Sequence, residues 1–412
     1  MSAARIWPGI SAVLLTIMFI VFMTAYPQQT LQAALTGVSI WWDVLFPALF
    51  PFFIIAELLL SFGIVHFFGT LLDPLMRPLF RVPGIGGFVM AMGFASGYPV
   101  GARLTSQLWD QRLVNRVEGE RLVAFTSTSD PIFLIGAVAV GFFYNPEIAL
   151  ILSVAHYGSS VIIGLLMRFY EKGTPLTPPT GMEDGNILLC ALRNMHRARL
   201  AHMRPFGEML RDAAVTALKL IFVIGGLVVF FAVLIEILKN TNVIQMMIEI
   251  ISWLLSLAGI PSTLADAFIN GLFEVTLGAR SAGSASGISL VYQVATAAFI
   301  LSWAGLSVHA QIISLMSHTG MRYGPFLIAR FAHGLCAMVM VFTLWGVLRP
   351  DSTATLAQLS HLELGSSPPS LAAVYLQPHI IILFALFTLT VLVTLSLIIH
   401  IGRKLLSDNR PQ

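Results

Sequence analysis

Residues 82–103 read Val82-Pro83-Gly84-Ile85-Gly86-Gly87, an apolar run from Phe88 to Phe94, then Ala95-Ser96-Gly97-Tyr98-Pro99-Val100-Gly101-Ala102-Arg103. A helix from Pro83 to Ser96 advances ~20 Å at ~1.5 Å per residue, which reaches mid-depth in a hydrocarbon core of ~30 Å. Pro99 lacks an N–H and suits the first turn of a new helix, with Gly97 or Tyr98 just before it. The returning arm, 100–116, carries Gln107, Asp110, Arg112 and Arg116, so it must face protein or water. The stretch therefore reads as a re-entrant helical hairpin, entering and leaving a membrane on one side. A second interrupted stretch, 261–280, opens at Pro261 and carries Asp266, Asn270, Gly271, Glu274, Thr276, Gly278 and Arg280. Its tip is predicted at Glu274 to Leu277.

Composition sets the medium for these hairpins. The chain has 412 residues, 57% hydrophobic and only 10% charged, with mean hydropathy +0.85. A soluble domain carries ~25% charged residues. The deficit excludes a soluble enzyme, a disordered tail protein and a secreted disulfide scaffold, and leaves an all-α polytopic membrane protein. The net charge of +3 reflects cytoplasmic Lys and Arg rather than nucleic-acid binding. Cys190 and Cys336 are far apart and match no disulfide or metal spacing.

Eight segments are apolar enough to span, at 9–26, 38–64, 120–143, 146–169, 210–238, 288–308, 325–348 and 377–402. The first lacks a convincing cleavage site and reads as a retained helix. With both termini cytoplasmic and the spans alternating, Arg77, Arg81, Arg112, Arg116, Arg121, the basic linker 170–209, Arg322, Arg403, Lys404 and Arg410 fall inside. Only Lys239 and Arg349 fall outside. This agreement requires that 83–99 and 261–277 do not cross. The linker reads as a connector lying on anionic headgroups.

Landmarks recur along the chain. Phe52-Phe53 precedes Glu57 and Phe230-Phe231 precedes Glu236; Val82-Pro83 matches Ile260-Pro261; Gly101-Ala102-Arg103 matches Gly278-Ala279-Arg280; Ala124-Phe125 matches Ala298-Phe299. Their separation drifts from 179 to 174 residues. The two repeats, 38–169 and 210–348, start with spans of opposite direction, so they read as inverted. Around them lie an N-terminal helix and external loop (1–37), an external loop (349–376) and a C-terminal helix and tail (377–412). Inverted repeats with broken helices are the architecture of secondary transporters, and paired interruptions point to the binding site.

Candidate residues follow from the interruptions. A helix start after Tyr98 offers free N–H groups and a positive dipole end to an anion. Ser96, Gly97 and Tyr98 line it, and Arg103 adds donors suited to carboxylates. Span 120–143 contains Thr126-Ser127-Thr128-Ser129-Asp130-Pro131. Pro131 disfavours helix at Asp130, and unwound chain at this depth must line a cavity or pack on protein; a plain proline kink relieved by hydroxyls is the simpler alternative. The second hairpin supplies Glu274, Thr276 and Arg280, and its matching span Ser302, Ser307 and His309. A mid-membrane carboxylate marks a site with a partner. Glu274 can pair with Arg103 or Arg280, bind a cation, carry a proton, or lock the hairpin structurally. Asp130, Glu274 and His309 are the candidates for Na⁺ or proton coupling. Glu57 and Glu236, near span ends, read as structural, and His156, His318 and His333 as helix-packing histidines. No P-loop, His-Glu-x-x-His, paired Cys-x-x-Cys or Gly-x-Ser-x-Gly is present, so no enzyme, metal site or cofactor is expected.

Phe-Pro-Ala-Leu-Phe-Pro-Phe-Phe (46–53), Ala-Ser-Gly-Tyr-Pro-Val-Gly-Ala-Arg (95–103), Gly-Glu-Arg-Leu-Val-Ala-Phe-Thr (119–126), Gly-Ala-Val-Ala-Val-Gly-Phe-Phe (136–143) and Gly-Leu-Ser-Val-His-Ala-Gln (305–311) resemble the YlbJ-type sporulation integral membrane proteins (the SpoVV family) of endospore-forming bacteria. The resemblance spans about residues 38–348. That family belongs to a group with a nucleoside-recognition gate domain, related to concentrative nucleoside transporters. It implies two hairpins and two unwound helices around a central site. It also implies transport of dipicolinic acid, pyridine-2,6-dicarboxylate, from the mother cell across the outer forespore membrane, or else residence in the cell membrane. Arg103 and Arg280 are then expected to face one carboxylate each, and related carriers imply a homo-oligomer. A nucleoside or other neutral-solute carrier, and a non-transporting scaffold acting through loop 170–209, are the rival readings.

Overall fold

The computed structural model describes residues 7–178, 187–201, 204–240, 243–348 and 390–399. Within them every regular element is helical. The chain opens with α1 (Trp7–Ala25), α2 (Pro27–Ser39) and a π-helical turn (Ile40–Leu45). Next come α3 (Phe46–Ser61), α4 (Ile64–Phe80), α5 (Ile85–Ser96), α6 (Tyr98–Asp110), α7 (Arg116–Thr126), a second π-helical segment (Ile132–Phe142) and α8 (Ile148–Met167). After α9 (Ile187–Ala201) the order starts again. It runs through α10 (Phe206–Lys239), α11 (Val243–Leu257), α12 (Ala265–Phe273), α13 (Val275–Gly283), α14 (Leu290–Trp303), α15 (Gly305–Met316) and α16 (Tyr323–Leu344). A last helix, α17, covers Thr390–Ile399. Each run contains a helical hairpin, then an interrupted helix, then a continuous one.

Four stretches of the described residues are long and apolar enough to cross a bilayer: Ile148–Met167, Phe206–Lys239, Leu290–Met316 and Tyr323–Leu344. A fifth counts if α3 and α4 are taken together across a 77° bend. The eight spans expected from composition are thus only partly seen as continuous helices. Segment 38–64 is not one straight helix. It contains the first π-helical turn and α3, and ends at Gly63, whose φ of 74° turns the chain into α4. Helix α4 went unread because Asp73, Pro74, Arg77 and Pro78 interrupt its apolar run. Segment 120–143 divides into α7 and the second π-helical segment. Residues 1–6 and 349–376, and most of 377–402, lie outside the described residues.

Local chemistry fixes where the pieces begin. Asn115 Oδ1 accepts from the Glu118 N–H (3.0 Å) while Glu118 Oε2 accepts from the Asn115 N–H (2.9 Å), a capping box at the start of α7. Gly97, at φ 89° and ψ −174°, adopts backbone that only glycine takes easily, and α6 follows with Pro99 in its first turn. Gly93 and Gly101 both approach the Thr126 carbonyl oxygen, where added Cβ atoms would lie 2.4 and 2.7 Å away. Both arms of α5–α6 therefore pass the same residue, and the chain has folded back. In α12–α13 an added Cβ on Gly278 would fall 2.2 Å from Gly271 Cα. Asn270 Nδ2 donates to Ser281 Oγ across the same hairpin (3.0 Å).

Two apolar clusters hold these elements. One gathers Phe88, Leu104, Leu122, Phe125 and Ile221 around α5–α7 and α10; the other gathers Leu134, Ile151, Val294, Leu301 and Phe326 around α14 and α16. A polar clamp joins them at one end. The buried Glu120 carboxylate accepts from Arg322 N (2.7 Å), Arg322 Nε (3.1 Å) and the Tyr170 hydroxyl (2.8 Å).

The Gly271–Gly278 contact leaves no room for a side chain. Overpacking costs ~1–3 kcal/mol where side chains can yield, and here backbone meets backbone. Gly278→Leu is expected to abolish the monodisperse peak of detergent-solubilised protein in size-exclusion chromatography. Gly226→Leu adds the same apolar bulk where nothing lies within 4 Å, and should keep the peak. Equal behaviour of the two variants would show that the hairpin does not close as described.

Candidate functional site

The four interruptions meet. The tip of α5–α6 abuts the break after α7: an added Gly97 Cβ would lie 3.2 Å from Asp130 Oδ2. The tip of α12–α13 is Glu274, extended at φ −145° and ψ 125°. It abuts the break between α14 and α15, where Ala304 and Gly305 take φ of 78° and 79° and a Gly305 Cβ would lie 3.1 Å from Glu274 Cα. The two halves are then cross-linked. The Tyr98 hydroxyl donates to Leu301 O (2.6 Å), joining the first hairpin to the second interrupted helix. Within the second run, Trp303 Nε1 donates to Leu272 O (3.1 Å).

Interrupting a helix frees backbone groups, and at membrane depth each needs a protein partner. Residues on α8 serve Ser129: His156 Nε2 accepts from its N–H (2.9 Å) and the Tyr157 hydroxyl donates to its carbonyl (2.9 Å). Since Nε2 accepts, His156 Nδ1 carries the hydrogen and donates to Ser302 Oγ (2.9 Å). One imidazole thus bridges both interrupted helices. His309 Nε2 donates to Trp303 O (2.9 Å), and its Nδ1 accepts from the Tyr323 hydroxyl (2.7 Å). Asp130 Oδ1 accepts from Phe133 N (2.8 Å), and Glu274 Oε2 from Leu277 N (2.8 Å). Each carboxylate therefore caps the helix that follows it.

The sequence-selected residues fall into two groups. Ser96, Gly97, Tyr98, Ser127, Thr128, Ser129, Asp130, Glu274, Ser302, Ser307 and His309 lie at or beside the breaks, nearly all buried. Thr126 closes α7, its hydroxyl donating to Leu122 O (2.8 Å), and Thr128 reaches Gly93 O (3.3 Å). Thr276 stands beside the Glu274 carboxylate in the first turn of α13. The two arginines are elsewhere. Arg103 Nη2 pairs with Glu57 Oε1 (3.0 Å), which also accepts from Gln107 Nε2 (2.6 Å). Arg280 is exposed and sits over the Phe142 ring, 5.4 Å from its centroid. Glu274 forms no ion pair with either arginine, so the Glu–Arg lock is absent and the carboxylate is a helix cap.

Comparison with known proteins places this geometry. Residues 43–177 match the Gate family, described as nucleoside recognition. The chain is 41% identical over 343 residues to the sporulation integral membrane protein YlbJ of Bacillus subtilis strain 168, covering 81% of this chain and 82% of that protein. The chain belongs to the YlbJ family. It is a multi-pass integral membrane protein, and no solved structure matches it. The Gate match covers α3 to α8, the first of the two runs, with one hairpin and one break; the YlbJ match covers most of the chain.

In this YlbJ-family chain, sequence reasoning did not single out Tyr157 or Arg330, and read His156 and His333 only as packing histidines; both rings are hydrogen-bonded as such, and both also reach the centre. His333 Nε2 donates to His156 O (2.8 Å), so α16 reaches the bridge as well. A signal existed for one of them. Arg330 is a lone cation inside the apolar stretch 325–348, and such residues mark function by default.

Removing one partner of a buried hydrogen bond costs ~1–3 kcal/mol. Tyr98→Phe strands one carbonyl, whereas His156→Ala strands the Ser129 N–H and removes the partner of Ser302. His156→Ala is therefore expected to lower the melting temperature in detergent more than Tyr98→Phe does. The reverse order would mean that His156 does not bridge the two interruptions.

Proposed function

We propose that this YlbJ-family protein is a secondary carrier or facilitator for a small carboxylate, with no enzymatic step, working by alternating access between inverted halves. The observation that carries the reading is the convergence of two hairpin tips and two interrupted helices on one buried polar centre. A scaffold has no need of such a centre. The inverted arrangement, with the hairpins re-entrant from opposite faces, is supported by which ends touch. Glu120, at the start of α7, pairs with Arg322, which follows α15. Asp110, at the end of α6, pairs with His318 (3.2 Å). Arg280 of the second hairpin meets Phe142, at the end of the second π-helical segment. The alternation of the spans puts the first two contacts on the cytoplasmic side, and puts Phe142 and the entry of the hairpin that carries Arg280 on the external side, so each contact joins groups on one face.

Dipicolinate, moved from the mother cell across the outer forespore membrane, is the substrate proposed; the YlbJ name of the relative supports a role in sporulation. Any coupling to Na⁺ or protons is assigned to Asp130, Glu274 and His309. The Gate description favours a second reading, a nucleoside carrier. Labelled dipicolinate is expected to enter proteoliposomes containing the purified protein, and unlabelled uridine to leave that flux unchanged. Imposed Na⁺ and pH gradients in the same assay read the coupling. Uptake of uridine without uptake of dipicolinate would establish the nucleoside reading instead.

A further inference from the structure

Helix α16 carries a cation in the interior of the protein. Arg330 is 0% exposed. Its Nη2 donates to His333 Nδ1, while Nε and Nη1 have no acceptor. The Phe326 ring lies 6.0 Å from its guanidinium carbon. Among the described residues no carboxylate pairs with it, and the two acids of the centre are engaged as helix caps. A buried charge with unmet donors is expensive and persists where something offsets it.

The position of this cation ties it to the site. His333 passes its own hydrogen bond to the His156 carbonyl, and the His156 ring holds both interrupted helices. Tyr98, His156 and His309 all lie within range of the charge. A second orphan donor is present at the first hairpin tip: Ser96 Oγ is buried with no partner. We propose that Arg330 is the group that recognises the anionic part of the cargo, a carboxylate accepting from Nε and Nη1. The inference rests on the carrier reading for its choice of ligand, and on the unmatched guanidinium for its choice of residue.

Two readouts separate the claims. Purified full-length protein in detergent is titrated with dipicolinate, picolinate and uridine while its melting temperature is followed, and flux is measured in proteoliposomes. Dipicolinate is expected to raise the melting temperature of the wild type. Arg330→Gln should bind it at least tenfold more weakly, yet melt no lower than wild type without ligand, because an unmatched charge has been removed. Lys219→Gln, which changes an exposed cation on α10, should bind like wild type. Should Arg330→Gln not fold, Arg330→Lys decides: a point charge lacking the planar donors should weaken binding at least tenfold, and unchanged binding overturns the proposal. Wild-type affinity in Arg330→Gln, or a wild type stabilised by uridine and by neither anion, also overturns it. Binding that depends on Arg330 without any flux would sink the carrier reading and leave the anion site standing. Flux that survives Arg330→Gln at wild-type affinity would do the opposite.

Discussion

A peptide group inside a bilayer has no water to turn to, and every break in a helix there must be answered by protein. This chain breaks four helical paths near one place, at Gly97, at 127–131, at Glu274 and at Ala304–Gly305. Each break is tolerable only because protein groups supply the missing partners. Helix α8 answers the second through His156 and Tyr157, and α15 answers the fourth through His309. Asp130 and Glu274 add caps of their own, and His156 and Tyr98 tie the breaks of one run to the other.

That mutual dependence has a mechanical consequence. Tyr98 and His156 each reach across from the first run to the second, and the Glu120–Arg322 clamp does the same at one end. Opening the centre means breaking several of these links together, since losing one leaves the others strained or unpaired. Groups that make and break together favour two discrete arrangements over a continuum, the property a gated site needs.

Much of this was legible in the chain because proline and glycine act locally. Pro83, Gly97, Pro99 and Pro131 fix conformation within a residue or two, so the first hairpin and the break after α7 could be read by inspection. The turn at Glu274 was bracketed for the same reason, by the polar residues around it. What escaped was non-local. His156 looks like any packing histidine until Ser129, 27 residues before it, and Ser302, 146 residues after it, are brought to its two nitrogens. Arg103 looked like a ligand group because it lies in the first turns of the helix that starts after Tyr98; its partner Glu57 stands 46 residues upstream. Helices α4 and α11 were missed because they are too short or too interrupted to register as spans.

The two halves repeat in order, yet their chemistry is exchanged. In the first, the hairpin tip contributes the glycine and the interrupted helix the acid, Gly97 against Asp130. In the second, the tip contributes the acid and the helix the glycine, Glu274 against Gly305. Both acids cap the helix three residues on, so the starts of the second π-helical segment and of α13 carry negative charge of their own. The starts of α6 and α15 have no side-chain cap. Their positive ends remain open, one behind each glycine. The centre therefore combines two compensated helix starts, two uncompensated ones and an unmatched guanidinium on α16. That balance is what favours, within the proposed carrier function, a carboxylate over a neutral nucleoside.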